Sequence, residues 1–175
     1  MSTLQKKICM LGAVGVGKTS LVRRFVESIF SERYQATVGV KIDRKTVTLG
    51  ATTINLMLWD LQGEAEHQAS RLEYLRGSAG YLVVADATRA DTLAAAERLA
   101  ARAEELVPGA PWLLVINKVD LEAEAVIAPA QLAELQHRGW SVQRTSARTG
   151  QGVEETFGEL ARRLLEGHVS LMEEA

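Results

Sequence analysis

A glycine-rich segment directly after an apolar run constrains the fold of this chain more than any other feature. The segment reads Gly12-Ala13-Val14-Gly15-Val16-Gly17-Lys18-Thr19, which fits G-x-x-x-x-G-K-[ST], and Ile8-Cys9-Met10-Leu11 precedes it. An apolar run, a glycine-rich turn and a helical pattern in this order predict a strand, a phosphate-binding loop and a helix. The start of the helix adds its positive end to the backbone N–H groups of the loop. The alternative, a glycine-rich turn with an unrelated lysine, leaves this order unexplained.

Each part of the predicted loop has an expected contact. Lys18 would neutralise the β- and γ-phosphates of a nucleotide, and the Thr19 hydroxyl would ligate Mg²⁺. The residues expected to bind phosphate are Val14, Gly15, Val16, Gly17, Lys18, Thr19 and Ser20. The segment therefore predicts a nucleotide ligand with Mg²⁺.

The composition is that of an ordinary globular protein. The chain has 175 residues, of which 47% are hydrophobic and 24% charged, with a net charge of −2. This length suits one domain, residues 1–175, with a sizeable core. The 20 basic residues are scattered among 22 acidic ones, which argues against nucleic acid as a partner. Cys9 is the one cysteine, so no intrachain disulfide is expected, and a reducing, cytoplasmic compartment fits.

The two ends of the sequence lack the usual membrane signals. Residues 1–7 contain neither the apolar stretch of a signal peptide nor a glycine at position two. Residues 170–175 contain no cysteine to prenylate, and no apolar run in the sequence is long enough to span a bilayer. We therefore expect no direct membrane anchor, and attachment to a membrane would need a partner.

Strand-like runs alternate with helical patterns along the chain. Two segments of mixed polarity, Val40–Leu49 and Thr53–Asp60, flank a Gly50-Ala51 turn and predict an edge hairpin. Further strands are predicted at Tyr81–Ala85, Trp112–Ile116 and Trp140–Arg144. Helical spacing predicts helices after the glycine-rich loop, around Leu99, near Ala128–His137 and from Val153 to Leu164. This alternation predicts an α/β fold with a mainly parallel sheet, helices on both faces and a ligand site at the carboxyl ends of the strands.

The segment after the predicted strand Trp112–Ile116 indicates which base is bound. It reads Asn117-Lys118-Val119-Asp120. The Asp120 carboxylate only accepts hydrogen bonds, so it suits the N1–H and C2 amino groups of guanine better than adenine. Asn117 can bridge the base and the phosphate loop, and the aliphatic stem of Lys118 can cover the purine face. By itself this motif also fits an ordinary surface turn.

Two further motifs favour a guanine nucleotide. Thr145-Ser146-Ala147-Arg148 follows the last predicted strand and could bring a backbone N–H to the guanine O6. Asp60-Leu61-Gln62-Gly63 fits D-x-x-G, which offers an aspartate for the Mg²⁺ shell and a glycine N–H for the γ-phosphate. In the loop before that motif, Thr37 could complete the metal shell and Phe30 could pack on the edge of the base.

With these elements in this order, the chain resembles the small GTPases of the Ras superfamily over nearly its whole length. The likeness is greatest to Rab-like members, and it is carried by Phe30–Val40, Leu58-Trp59-Asp60, Tyr74–Gly77, Asn117–Asp120 and Thr145–Gly150. It implies a P-loop NTPase G domain whose six-stranded, mostly parallel sheet has one antiparallel edge strand. It also implies two switch segments, near residues 32–40 and 60–76, that order around the γ-phosphate.

The resemblance implies further partners and contacts. GTP and GDP would be the ligands, with Tyr34 in the first switch among the nucleotide-binding residues. Protein effectors and regulators would bind through the switch segments. Because residues 170–175 contain no cysteine to prenylate, we expect the chain to be more similar to prokaryotic members than to eukaryotic Rab and Ras proteins.

Two positions depart from the family pattern. Glu64 stands where the family has a water-orienting glutamine, and an ionised carboxylate accepts hydrogen bonds but cannot donate them. Val14 occupies a position that is glycine in Ras and usually small in Rabs, so its branched side chain would crowd the water-positioning residue. Both departures predict slow hydrolysis with nucleotide binding intact. Two interpretations of Glu64 stay open: it holds the attacking water, or it is solvated without a catalytic role.

We therefore expect a guanine-nucleotide switch that hydrolyses GTP slowly, with catalytic residues Lys18, Thr37, Gly63 and Glu64. The alternative is a GTP-binding interaction module with negligible hydrolysis. A metabolic kinase with a phosphate loop would leave the motifs at 60–63 and 117–120 unexplained.

Overall fold

The computed structural model describes residues 3–31, 39–61 and 72–173. The strands are β1 (Thr3–Gly12), β2 (Val40–Leu49), β3 (Thr52–Leu61), β4 (Gly80–Asp86), β5 (Trp112–Asn117) and β6 (Val142–Arg144). The helices are α1 (Lys18–Glu27), α2 (Ala90–Leu106), α3 (Pro129–His137) and α4 (Val153–Glu173). Short 3₁₀ turns form at Leu72–Leu75 and Glu122–Glu124.

The strands form one sheet in the order β2-β3-β1-β4-β5-β6. The edge strand β2 runs antiparallel to β3, and the other neighbouring pairs are parallel. This confirms the predicted fold class. The mixed polarity of β2 follows from its place at the edge, where one side of the hairpin faces solvent.

Alternating residues of the sheet feed two separate hydrophobic cores. On β1, Ile8 and Met10 point to the face covered by α1 and α4, whereas Cys9 points to the face covered by α2 and α3. Such alternation is the two-residue period of a strand. On the first face the rings of Phe25 and Phe157 stack with centroids 4.1 Å apart, which joins α1 to α4. Both faces of the central strands are therefore buried, as their apolar sequences predict.

The last strand is shorter than the sequence predicts. The predicted run began at Trp140, but β6 begins at Val142. The Trp140 N–H donates to the Leu135 carbonyl at 3.0 Å, so this residue still belongs to the turn that ends α3. Its indole packs edge-on against Trp112 at 4.9 Å. The sequence pattern therefore assigns Trp140 to the strand, although the residue only lies beside it.

The order of the strands determines where the motifs meet. From β1 the chain goes to β2 and β3 on one side and then returns to β4 on the other, so the order reverses at β1. Open α/β sheets bind ligands at such a reversal, beyond the carboxyl ends of the strands. Register pairs Met10 with Asp60 and Asp86 with Asn117. The ends of β1, β3, β4 and β5 therefore lie side by side. Within the described residues, no helix is both long and apolar enough to cross a membrane.

Candidate functional site

The loop between β1 and α1 needs glycine at two positions for reasons of space as well as backbone angle. Gly17 has φ +100°, and a Cβ there would lie 2.3 Å from Asn117 Nδ2. Gly12 has φ +149°, and a Cβ there would lie 2.5 Å from the Val84 carbonyl oxygen. Both distances are far inside van der Waals contact, and both angles are unfavourable for other residues. The loop can therefore pass close to β4 and β5 only with these glycines.

Five successive carbonyl groups of this loop, those of residues 12–16, each accept a hydrogen bond from a side chain. Lys18 Nζ donates to the carbonyls of Gly12 and Ala13 at 2.8 and 3.0 Å. The next three carbonyls have different donors. Arg89 Nη1 donates to the Val14 carbonyl at 2.8 Å, Lys118 Nζ to the Gly15 carbonyl at 2.8 Å, and Asn117 Nδ2 to the Val16 carbonyl at 3.0 Å. Because C=O and N–H point in opposite directions in a trans peptide, these bonds turn the N–H groups of the loop the other way. We therefore expect these N–H groups to face a common side, as a loop that binds an anion requires.

Lys18 is the first residue of α1 and is almost completely buried, with 7% of its surface exposed. Burial lowers its pKa to about 8, an effect that the negative charge of Asp60 partly opposes. Its hydrogen bonds within the described residues go to neutral carbonyls, and the charge of Asp60 offsets the cost of burial only in part. An anion at the loop would therefore favour its charged form and raise its pKa.

Asp60 lies at the end of β3 next to the start of α1. Its Oδ2 accepts a hydrogen bond from the Thr19 hydroxyl, and its Oδ1 is buried without a hydrogen-bond partner among the described residues. Burial raises the pKa of Asp60, while the bond from Thr19 and the charge of Lys18 act in the opposite direction. A buried carboxylate oxygen without a partner, beside a hydroxyl, fits a hard divalent cation such as Mg²⁺. These two side chains could hold that ion.

Asn117 connects the phosphate loop to the loop after β6. Its Nδ2 donates to the loop carbonyl of Val16, while its Oδ1 accepts from the Thr145 hydroxyl at 3.0 Å and from the Ala147 N–H at 3.2 Å. The side chain is 1% exposed. This one buried amide therefore sets the distance between two loops that are far apart in the sequence.

Asp120 and the loop 145–148 also lie together. The Ser146 hydroxyl donates to Asp120 Oδ1 at 2.7 Å, which holds the carboxylate in one orientation. A carboxylate has more acceptor positions than this one bond uses, and Asp120 is only half-buried. It remains able to accept from a ligand.

Lys118 stretches from β5 across to the phosphate loop. Its backbone is left-handed, with φ +66°. The Nζ contacts Asp86 Oδ2 at 2.7 Å as well as the Gly15 carbonyl at 2.8 Å. Burial alone would raise the pKa of Asp86, but the hydrogen bonds from Lys118 and Thr88 outweigh it and hold the pKa below its usual range. These contacts at Asp86 and Gly15 fix the position of the Lys118 side chain, including its aliphatic stem.

Comparison with known proteins agrees with this geometry. Residues 7–166 match the family model described as Ras family. The chain belongs to the Ras family. Members of this family are small GTPases that bind GTP and GDP with Mg²⁺ and act as switches.

Several curated relatives are Rab proteins. The chain is 34% identical to Ras-related protein Rab5A of Oryza sativa subsp. japonica, over 92% of the chain and 80% of that protein. It is 31% identical to human Ras-related protein Rab-7b, over 95% of the chain and 86% of that protein. It is 34% identical to Ras-related protein RABF2b of Arabidopsis thaliana, over 93% and 82%. The likeness to Rab-like members of the Ras family is confirmed.

Three side chains at the site of this Ras-family chain were not predicted. Asp86 ends the buried strand β4, and the rule that singled out Asn117 at the end of β5 would have found it. Arg89 stands at the N-cap of α2 without making a capping bond, and an arginine is unusual there. Arg24 on α1 donates to the carbonyls of Ala147 and Arg148. For Arg24 the sequence carries no signal, because its partners lie more than a hundred residues away.

Other predicted residues lie at the rim or outside the described part of the chain. Val14 is exposed, with 37% of its surface accessible, and Phe30 lies just beyond α1 with 36% accessible. Ser20 lies in the first turn of α1. Four predicted site residues fall outside the described residues: Tyr34, Thr37, Gly63 and Glu64.

Proposed function

We propose that this chain is a guanine-nucleotide switch that binds GTP and GDP with Mg²⁺ and hydrolyses GTP slowly. The observation that carries the proposal is the double link from the motif 117–120 to the phosphate loop. Asn117 and Lys118 hold two successive loop carbonyls at 3.0 and 2.8 Å. A base held at Asp120 and phosphates held at the loop would therefore be parts of one ligand.

The base end favours guanine. Asp120 keeps acceptor capacity while Ser146 holds its orientation, and guanine presents two donors on one edge where adenine presents an acceptor at N1. The stem of Lys118 would cover one face of the purine, and the loop 146–148 would bring a backbone N–H to O6. An adenine nucleotide would leave the Asp120 carboxylate facing an acceptor, which costs binding free energy.

The phosphate end favours a di- or triphosphate with a metal ion. Lys18 would contact the β- and γ-phosphates, whose negative charge would raise its pKa. Thr19 and Asp60 would hold Mg²⁺, together with Thr37 from the first switch. When bound, Mg²⁺ would neutralise charge on the phosphate oxygens.

Hydrolysis would depend on the second switch. The Gly63 N–H would donate to the γ-phosphate, and Glu64 would hold the attacking water in line with the bond that breaks. Glu64 cannot donate a hydrogen bond while it is ionised, and the side chain of Val14, which is exposed, would crowd the residue that positions the water. Both features support a slow intrinsic rate. The segments 32–40 and 60–76 would carry the nucleotide state to effectors and regulators.

Binding and single-turnover experiments test this function. The purified protein with Mg²⁺ should bind GTP and GDP far more tightly than ATP, and bound GTP should turn over slowly to GDP. Equal affinity for ATP and GTP would overturn the proposal. GTP binding without turnover would favour an interaction module with negligible hydrolysis.

Two further measurements separate details within the proposal. Replacing Glu64 by Ala should lower the residual rate if this residue holds the water and leave it unchanged if it is solvated. Hydrogen exchange should show protection near Thr37 and Gly63 with a non-hydrolysable GTP analogue but not with GDP. Equal protection in both states would argue against a switch.

A further inference from the structure

Arg89 connects the start of α2 to the phosphate loop. Its Nη1 donates to the Val14 carbonyl at 2.8 Å, across 75 positions of sequence. Its Nη2 contacts Asp91 Oδ2 at 3.3 Å. One nitrogen of the guanidinium group therefore holds the loop, while the other is held by a carboxylate of its own helix. This fork gives the side chain a definite orientation although 41% of it is exposed.

The carbonyl that Arg89 holds shares a peptide group with the Gly15 N–H. The two ends of a peptide unit are electronically coupled and point in opposite directions. A charged donor at the carbonyl oxygen therefore fixes the direction of this N–H and makes it a stronger donor. Lys118 does the same to the next peptide group by binding the Gly15 carbonyl. Two cations from different strand ends thus act on two adjacent N–H groups of the loop.

We propose that Arg89 is a positioning residue that aims the Gly15 N–H at the β-phosphate side of the bound nucleotide. The inference rests on the proposed function, because it needs a nucleotide in the loop. During hydrolysis a water oxygen bonds to the γ-phosphorus, the bond from that phosphorus to the bridging oxygen breaks with its electron pair staying on GDP, and the protons of the water leave with the inorganic phosphate. Negative charge then grows on the β-phosphate side. A donor fixed there stabilises the transition state more than the bound GTP.

Arg89 acts through the peptide and not by touching the nucleotide. Its effect should therefore appear in the rate and in the surroundings of the β-phosphorus more than in GTP affinity. Replacing Arg89 by Gln keeps a hydrogen-bond donor and removes the charge. Arg89→Lys keeps the charge but loses the two guanidinium nitrogens that contact the Val14 carbonyl and Asp91 at the same time. Comparing these variants separates charge from geometry.

A matched control is available on the same helix. Arg102 is exposed and pairs with Glu105 at 2.6 Å. It lies 13 residues after Arg89 along α2, which places it about 20 Å away. Arg102→Gln removes the same charge from the same helix without reaching the loop.

The test uses the full chain with Mg²⁺ and three readouts: single-turnover GTP hydrolysis, GTP and GDP affinity, and the ³¹P resonance of the β-phosphorus in bound GDP. We expect Arg89→Gln to slow hydrolysis about tenfold, a fraction of the loss seen when an oxyanion donor is removed. We expect GTP affinity to change less than about threefold and the β-phosphorus resonance to move. Arg89→Lys should recover part of the rate, and Arg102→Gln should match the wild type in all three.

Other outcomes would overturn the inference in recognisable ways. An unmoved β-phosphorus resonance in Arg89→Gln rejects it even where turnover is too slow to measure. Equal loss of rate and affinity without such a movement indicates a merely structural role. Failure of the wild-type protein to bind GTP and GDP refutes the proposed function itself. Normal binding and turnover in the wild type, with an Arg89→Gln variant that behaves identically, refutes only the role of Arg89.

Discussion

The phosphate loop and the base-directed loops lie at the same edge of the sheet but are held in opposite ways. In the phosphate loop, side chains from four other positions bind the backbone carbonyls of residues 12–16. In the base-directed loops, an N–H and hydroxyl groups bind the side chains of Asn117 and Asp120. The first arrangement presents backbone to a ligand, and the second presents side chains.

This difference predicts that substitutions at the phosphate loop change affinity, whereas substitutions at the base-directed loops change selectivity. Backbone N–H groups recognise phosphate without regard to the base attached to it. A side-chain carboxylate recognises one pattern of donors and rejects another. The two regions share Asn117 and Lys118, so coupling between them should be concentrated at these two residues.

The largest effect should come from the cation of the phosphate loop. Lys18→Ala removes a buried charge next to two expected phosphates, and each charge-assisted contact contributes about 1.5–3 kcal/mol. We expect GTP affinity to fall about a thousandfold and GDP affinity to fall less, because GDP lacks the γ-phosphate, as measured by calorimetry. Lys6→Ala, six residues before Gly12 on β1, is the control and should bind normally. Wild-type affinity in Lys18→Ala would remove the phosphate loop from its assigned role.

The next effect should be a change of preference and not a loss of binding. In Asp120→Asn the amide can donate to the C2 oxygen that xanthine carries in place of the guanine amino group. We expect the ratio of GTP to XTP affinity to fall about a hundredfold, since one mismatched hydrogen bond to the base costs about 1–3 kcal/mol. Competition between the two nucleotides measures it. If the variant still prefers guanine, the Asp120 side chain does not select the base, and the contrast between the two regions fails.

Acid should weaken the Asp86 contact with Lys118 but not the bonds to carbonyls, which do not titrate in this range. The lowered pKa of Asp86 means that its contribution is full above about 3.9, the usual value, and is lost as pH falls through the folded value. Urea unfolding of wild type and Asp86→Asn should therefore differ by about 2 kcal/mol at pH 7, and the difference should begin to shrink only as the pH falls below about 4. Glu97→Gln, in a surface pair with Arg138, provides the control. A gap that does not depend on pH would contradict the ionised pair.

The smallest effect should come from the exposed side chain of the phosphate loop. Val14→Gly should raise single-turnover hydrolysis about tenfold if the isopropyl group obstructs the water-positioning residue. GTP affinity should change little, because the phosphate contacts at this position come from the backbone. An unchanged rate would mean that Val14 is not the obstacle, and a large loss of affinity would contradict recognition by backbone alone.

The sequence predicted most of the architecture and much of the site, and its failures have physical causes. The helix faces and the strands β2 to β5 followed from periodicity, because burial on one or both faces leaves a local pattern. The start of β6 was misplaced because Trp140 packs against Trp112 without entering the ladder. Arg24 and Arg89 were missed because their acceptors are backbone carbonyls 123 and 75 positions away. A carbonyl carries no sequence signature.

The sequence by itself determined the family, the glycines of the phosphate loop and the order of the nucleotide motifs. These features depend on local chemistry: a left-handed backbone angle, an alternation of apolar residues, or a carboxylate after a strand. Only the tertiary structure decided which side chains reach the carbonyls of residues 12–16, how deeply Lys18 is buried, and that Asp60 keeps a buried oxygen without a partner in the described residues. Those properties depend on strand register and on water being excluded by distant segments, which no local pattern encodes.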